Sequence, residues 1–169
     1  MKNNTSSKIV KITGFTLLEV MVALMIFSIG LLGLAGLQAS GFSSNKTADL
    51  RGHAIILAYD IAERIRANDR GKSGDYNAIA LSTAAGSAVD CISAACTTTN
   101  AIALVDLYEW KTSIAKALPG AKASVTRATA NDPFTITIMW DEDRTGATGE
   151  GCDPTDTDDL KCFKLEFLP

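Results

Sequence analysis

Residues 14–37 read GFTLLEVMVALMIFSIGLLGLAGL, and this stretch decides the fold. From Phe15 to Leu37 the polar side chains are Thr16, Glu19 and Ser28. Wound as a helix, the run spans roughly 34 Å at 1.5 Å per residue, enough to cross a bilayer core of roughly 30 Å. Lys2, Lys8 and Lys11 precede it with no acid among them, which sets the N-terminus on the cytoplasmic side. The other 13 of the 16 Lys and Arg stand against all 19 Asp and Glu. A basic start and an acidic remainder argue against nucleic acid as the main partner, because phosphate binding needs clustered Lys and Arg.

A cleaved secretory signal fits the start poorly. Its apolar core is about 7–15 residues, shorter than this run. Leu37-Gln38-Ala39 is also a weak small-x-small cleavage site. A plain membrane anchor accounts for the length and the lysines but not for Glu19. A carboxylate in an apolar segment costs on the order of 2.5–3.5 kcal/mol at mid-membrane, and less near an edge. Such a residue needs a partner.

The block Gly14-Phe15-Thr16-Leu17-Leu18-Glu19, behind a short basic leader and ahead of the apolar run, resembles the processing site of type IV prepilins and pseudopilins. The resemblance implies cleavage after Gly14 by a prepilin peptidase and N-methylation of Phe15 by the same enzyme. Glu19, fifth in the mature chain, would then meet the N-terminal amine of a neighbouring subunit. Two buried charges that satisfy each other are far less costly than either alone. Gly30, Gly33 and Gly36 recur every three residues, which allows close helix packing in lipid. The resemblance offers a second reading of the same glycines, as a place where the helix loosens in the filament. Both readings stay open.

The chain continues as an amphipathic helix to about residue 68. Leu50, Ala54, Leu57, Ile61 and Ile65 mark one face. Asp60 with Arg64, and Glu63 with Arg66, are spaced for ion pairs, and Asn68-Asp69-Arg70-Gly71 ends the helix. A second helix is predicted from a cap at Asn100 to Leu118, with Leu107, Trp110, Ile114 and Leu118 inward and Pro119-Gly120 as its stop. Strands are predicted at 124–129, at 134–140 and at the end of the chain around Phe163, Leu165 and Phe167. In the middle one, Phe134, Ile136, Ile138 and Trp140 face inward and alternate with Thr135, Thr137 and Met139.

Four cysteines, Cys91, Cys96, Cys152 and Cys162, form two locally close pairs. In an exported domain they are expected as disulfides, with Cys91–Cys96 and Cys152–Cys162 as the pairing to test against two others. Their spacing and the lone His53 do not make a zinc site. The polar stretch from Asp141 to Asp159 has many carboxylates but lacks the EF-hand order, so it reads as a solvated acidic loop. His53 reads as a surface or interface residue, and Trp110 and Trp140 as core.

The expected fold is α+β and type IV pilin-like. One long N-terminal helix packs on a small antiparallel sheet, with a second short helix and two disulfide-closed loops. The expected segments are 1–14, a cleaved leader; 15–39, a transmembrane and filament-core helix; 40–68, its amphipathic continuation; and 69–169, a periplasmic domain. The stretches SIGLLGLAGLQ at 28–38 and DIAERIRAN at 60–68 are similar to the minor pilins of type IV pili. A minor pseudopilin of type II secretion is the alternative within the family, and a single-pass periplasmic binding module the alternative outside it. The resemblance implies a non-enzymatic subunit with no cofactor and no metal. Its partners would be the inner membrane, the prepilin peptidase and N-methyltransferase, other minor and major pilins, and the pilus assembly platform. Its final place would be the filament, with the tip as a candidate position.

Overall fold

A computed structural model describes residues 14–68, 75–76, 79–82, 85, 91 and 96–169. The chain divides into two compact units, at residues 1–44 and 45–169. The described part of the first unit lies almost wholly in helix α1, Leu17–Ala67, whose later half belongs to the second unit. Thr16 opens α1: its hydroxyl accepts from the Glu19 backbone N–H at 3.3 Å, which satisfies one of the helix's free donors. From Gly14 to Ser44 every side chain is exposed. α1 runs through Gly30, Gly33 and Gly36 without a break, and a Cβ on any of them would meet nothing within 4 Å.

In the second unit the elements run α1, β1 (Ile79–Ser82), α2 (Thr99–Ala117), β2 (Lys122–Thr126), β3 (Phe134–Trp140) and β4 (Lys161–Phe167). The strands form one antiparallel sheet in the order β1-β2-β3-β4. The core joins α1 (Leu50, Ala54, Ala58, Ile61, Ala62, Ile65), α2 (Ala103, Leu107, Trp110, Ile114) and the inward face of the sheet (Val125, Phe134, Ile136, Ile138, Trp140). Ala58 and Ala62 widen the predicted stripe, and their small size lets the helix approach its neighbours. Leu57 is only part-buried at its margin.

Several expectations change. α2 begins under a Thr98 cap, whose hydroxyl accepts from Ala101 N–H at 3.2 Å, while Asn100 is exposed inside the helix. β2 starts and stops earlier than predicted. Arg127 leaves the ladder, donates to the Asp132 carbonyl at 2.9 Å and covers the Phe134 ring at 4.6 Å, so residues 127–133 form the turn into β3. Thr137 and Met139 are buried although they alternate with the core face, because β3 has a strand on each side. β1 was not expected. Its IALS sequence has little strand signal, and it is held by pairing with β2 and by Lys111, which donates to Ser82 Oγ at 2.7 Å and to the Ala80 carbonyl at 3.4 Å. Burial pushes the Lys111 ammonium below the ordinary lysine pKa. Asn68 is a buried anchor rather than an exposed turn residue, with Nδ2 donating to Tyr76 Oη and the Thr99 carbonyl at 3.2 and 3.1 Å. Asp69, Arg70 and Gly71 lie outside the described residues.

Candidate functional site

The predicted processing and assembly residues all lie in the first unit. Gly14 is exposed and Phe15 is 82 % exposed, both just ahead of α1. Glu19 stands one helical turn on. Phe15, Glu19, Val20, Ala23, Leu24 and Phe27 line one shallow apolar groove, so the carboxylate sits in an apolar stripe. Its backbone N–H is taken by Thr16, but its carboxylate has no partner among the described residues. By composition Thr16 is one of three polar side chains in the apolar run. The spacing Thr16-x-x-Glu19 is itself a helix-start signature and was the signal for the cap. Among the described residues this is the one helix long and apolar enough to cross a membrane.

The second unit brings the paired cysteines together. Cys91–Cys96 and Cys152–Cys162 are disulfides, with Cα separations of 5.1 and 5.6 Å, within the usual range. Two polar assemblies were not foreseen. At the end of α1, Arg64 meets Asp60 at 3.1 Å, Asp106 at 3.2 Å and Glu109 at 2.8 Å. Tyr76 donates to the other oxygen of Asp106 at 2.5 Å. Partial burial opposes the Arg64 charge, but Glu109, Asp60 and Asp106 outweigh it and hold its pKa above the ordinary arginine value. Burial and the bond to Asp106 raise the Tyr76 hydroxyl, while Asn68 pulls the other way. The sequence showed only the Asp60–Arg64 pair; α2 supplies the rest across a tertiary contact.

The acidic loop is organised by its own carboxylates. Asp141 accepts from Gly146 N–H at 2.7 Å and Thr145 N–H at 3.1 Å, and Asp159 accepts from Gly151 and Asp153 N–H at 3.2 and 3.0 Å. Desolvation works against the Asp141 charge, yet these N–H donors hold its pKa below the ordinary carboxylate value. The Thr155 hydroxyl and N–H do the same for the exposed Asp153. Among the described residues no three His, Cys, Asp or Glu side chains are grouped to hold a metal. His53 is exposed beside Asp49 at 3.7 Å, and Trp110 and Trp140 are core.

Residues 11–35 match the family model described as a prokaryotic N-terminal methylation motif, and residues 36–108 match the Tt1218-like model, described as type IV pilin Tt1218. No curated protein and no solved structure matches the chain. A methylation motif running directly into a pilin domain, on a long helix packed against a small antiparallel sheet, defines a type IV pilin. Its pilin domain is of the Tt1218-like kind. The class is structural and not catalytic, and the motif implies processing by prepilin peptidase and assembly into a pilus.

Proposed function

We propose that this chain is a minor pilin of a type IV pilus, of the kind called PilV, which joins other minor pilins to start filament assembly. In this reading residues 1–14 are a basic leader removed after Gly14, and Phe15 becomes the N-methylated end. Residues 15–39 hold the subunit in the inner membrane and then enter the filament core. Residues 40–68 continue as the amphipathic helix of a periplasmic domain that runs to residue 169. Gly30, Gly33 and Gly36 let neighbouring helices approach.

The observation that carries the reading is the setting of Glu19: a carboxylate in an exposed apolar stripe, with no partner among the described residues, one turn from the residue that cleavage would turn into an ammonium. An amine from a neighbouring subunit supplies the missing charge. A minor pseudopilin would share that start, but the stretches at 28–38 and 60–68 favour the pilus branch.

Mass spectrometry of the mature chain tests the reading. It is expected to show residues 1–14 absent and one methyl group on Phe15. An intact start, or a cut near Ala39, overturns it. Loss of pili on deletion of the chain supports the pilus branch; loss of secretion with normal pili supports the pseudopilin.

A further inference from the structure

Helix α1 begins at Leu17, and Gly14, Phe15 and Thr16 lie ahead of it, outside any regular element. Thr16 sets that boundary. Its hydroxyl accepts from the Glu19 N–H at 3.3 Å, and its carbonyl accepts from the Glu19 and Val20 N–H groups at 3.1 and 3.3 Å. A threonine in this position takes up free donors of the first turn and stops the helix from running further upstream. Gly14 acts in the same direction, since glycine is a poor helix former. Among the described residues the Gly14 carbonyl accepts no backbone hydrogen bond. Thr16 is exposed and takes no part in the core of the second unit, so changing it disturbs no packing there.

We propose that Thr16 is a positioning residue for the processing step: by capping α1 it keeps the Gly14–Phe15 peptide bond out of the helix and open to prepilin peptidase. The inference rests on the reading above that the chain is cut after Gly14. In that step one water adds across the bond from the Gly14 carbonyl carbon to the Phe15 nitrogen. Gly14 leaves as a carboxylate and Phe15 as an ammonium. The water has to close on the carbonyl carbon to about 3–3.5 Å along a clear approach.

A helix at the cut site would deny that approach. In an α-helix each carbonyl is turned along the axis onto the N–H four residues on. Were α1 to start one turn earlier, the Gly14 carbonyl would accept from the Leu18 N–H and the Phe15 carbonyl from the Glu19 N–H. The carbonyl to be attacked would then be bonded and crowded by the side chains of its own turn. Losing the cap favours this extension over fraying. In lipid, backbone donors find no water and have to be satisfied within the chain. Without the Thr16 hydroxyl, the N–H groups that open α1 find acceptors in the upstream carbonyls, whereas unwinding the other way would bare more donors. The hydroxyl is what caps, and the methyl group adds nothing to it. Serine and asparagine therefore substitute for Thr16, and valine, of nearly the same shape, does not.

Cleavage of the full chain by purified prepilin peptidase in detergent micelles tests this. Thr16→Val is expected to lower kcat/KM for the cut after Gly14 by about fivefold, the scale of one lost cap, while Thr16→Ser and Thr16→Asn stay within about twofold of the parent. An isotopic label on the Gly14 carbonyl carbon, read by NMR before the peptidase is added, gives the conformation directly. Its resonance is expected to move toward the helical position in Thr16→Val and to keep the parental position in the other two. Thr16→Val cut at the parental rate overturns the positioning role and leaves the processing reading standing. Equally slow cleavage of all three variants, or slow cleavage of Thr16→Val with an unmoved Gly14 resonance, overturns it in favour of direct contact between Thr16 and the peptidase. A parent chain that is not cut after Gly14 overturns both.

Discussion

The Trp110 indole N–H donates to the Leu57 carbonyl at 2.7 Å, which fixes the height of α2 against α1. Trp140, equally deep, differs: its Nε1 is buried with no hydrogen-bond partner among the described residues. Replacing each by Phe removes similar volume but opposite polar terms. Trp110→Phe loses a made bond, while Trp140→Phe removes an unmet donor. Trp110→Phe is therefore expected to destabilise more, by about 1–2 kcal/mol, in denaturant unfolding of the full chain in detergent. Equal losses would mean that the Leu57 bond contributes nothing.

Tyr76 and Arg64 share Asp106, so their variants should couple. Arg64→Gln is expected to cost about 1–2 kcal/mol, more than an ordinary surface pair because Asp106 is largely buried. The raised Tyr76 pKa gives a sign as well. A group whose pKa rises on folding contributes stability that is full below its unfolded value and fades as pH climbs through the folded one. The deficit of Tyr76→Phe should thus stay flat from about pH 6 to 9 and shrink only above about 10. A deficit that shrinks between pH 6 and 9 would refute the assignment.

Asp141 works at the other end of the scale. Its lowered pKa means that its contribution is full above the ordinary Asp value and is lost as pH falls through the folded one. Asp141→Ala is expected to lower stability by about 1–2 kcal/mol at neutral pH, with the gap closing below about pH 4. Unfolding midpoints measured from pH 7 down to 3 check this. Gly149→Ala should harm the same loop at every pH, because the new Cβ would meet the Asp159 carboxylate and, at 2.8 Å, the Asp158 carbonyl.

Each disulfide closes a short loop, and by chain-entropy arithmetic each contributes roughly 2–3 kcal/mol. Cys152→Ser with Cys162→Ser should lower the unfolding midpoint and speed proteolytic nicking between Asp153 and Leu160. Peptide mapping without reductant should join Cys91 to Cys96 and Cys152 to Cys162.

Glu19→Ala should leave membrane insertion intact, since it removes the one charge in the apolar run, but should sharply reduce recovery in sheared filaments. Recovery equal to the parent chain would show that the carboxylate has no pairing role.

Much of this was legible from periodicity. The spacing at Leu50, Ala54, Ile61 and Ile65 gave the inward face of α1, and the alternation at Phe134–Trp140 gave the central strand to the residue. Local chemistry at element ends was harder to read. Asn100 looked like a cap, but Thr98, two residues earlier, takes the bond. β1 could not be read at all, because Ile79-Ala80-Leu81-Ser82 is a strand through what it pairs with rather than what it is. The Arg64 cluster was invisible for the same reason: Asp60 is one turn away, but Asp106 and Glu109 arrive from another helix. The acidic loop looked solvated, whereas Asp141 and Asp159 turn their carboxylates onto the loop's own N–H groups.

Between Phe15 and Phe42, sixteen large apolar side chains stand uncovered. Wetting all of them would take on the order of tens of kcal/mol. No thermal fluctuation supplies that, so a subunit of this kind has no free aqueous life. In the pilus-subunit reading proposed above, passage from lipid into fibre is a hand-over in which each stretch of helix leaves one greasy neighbour only as it gains the next, and the growing end would stay at the membrane surface for as long as growth continues.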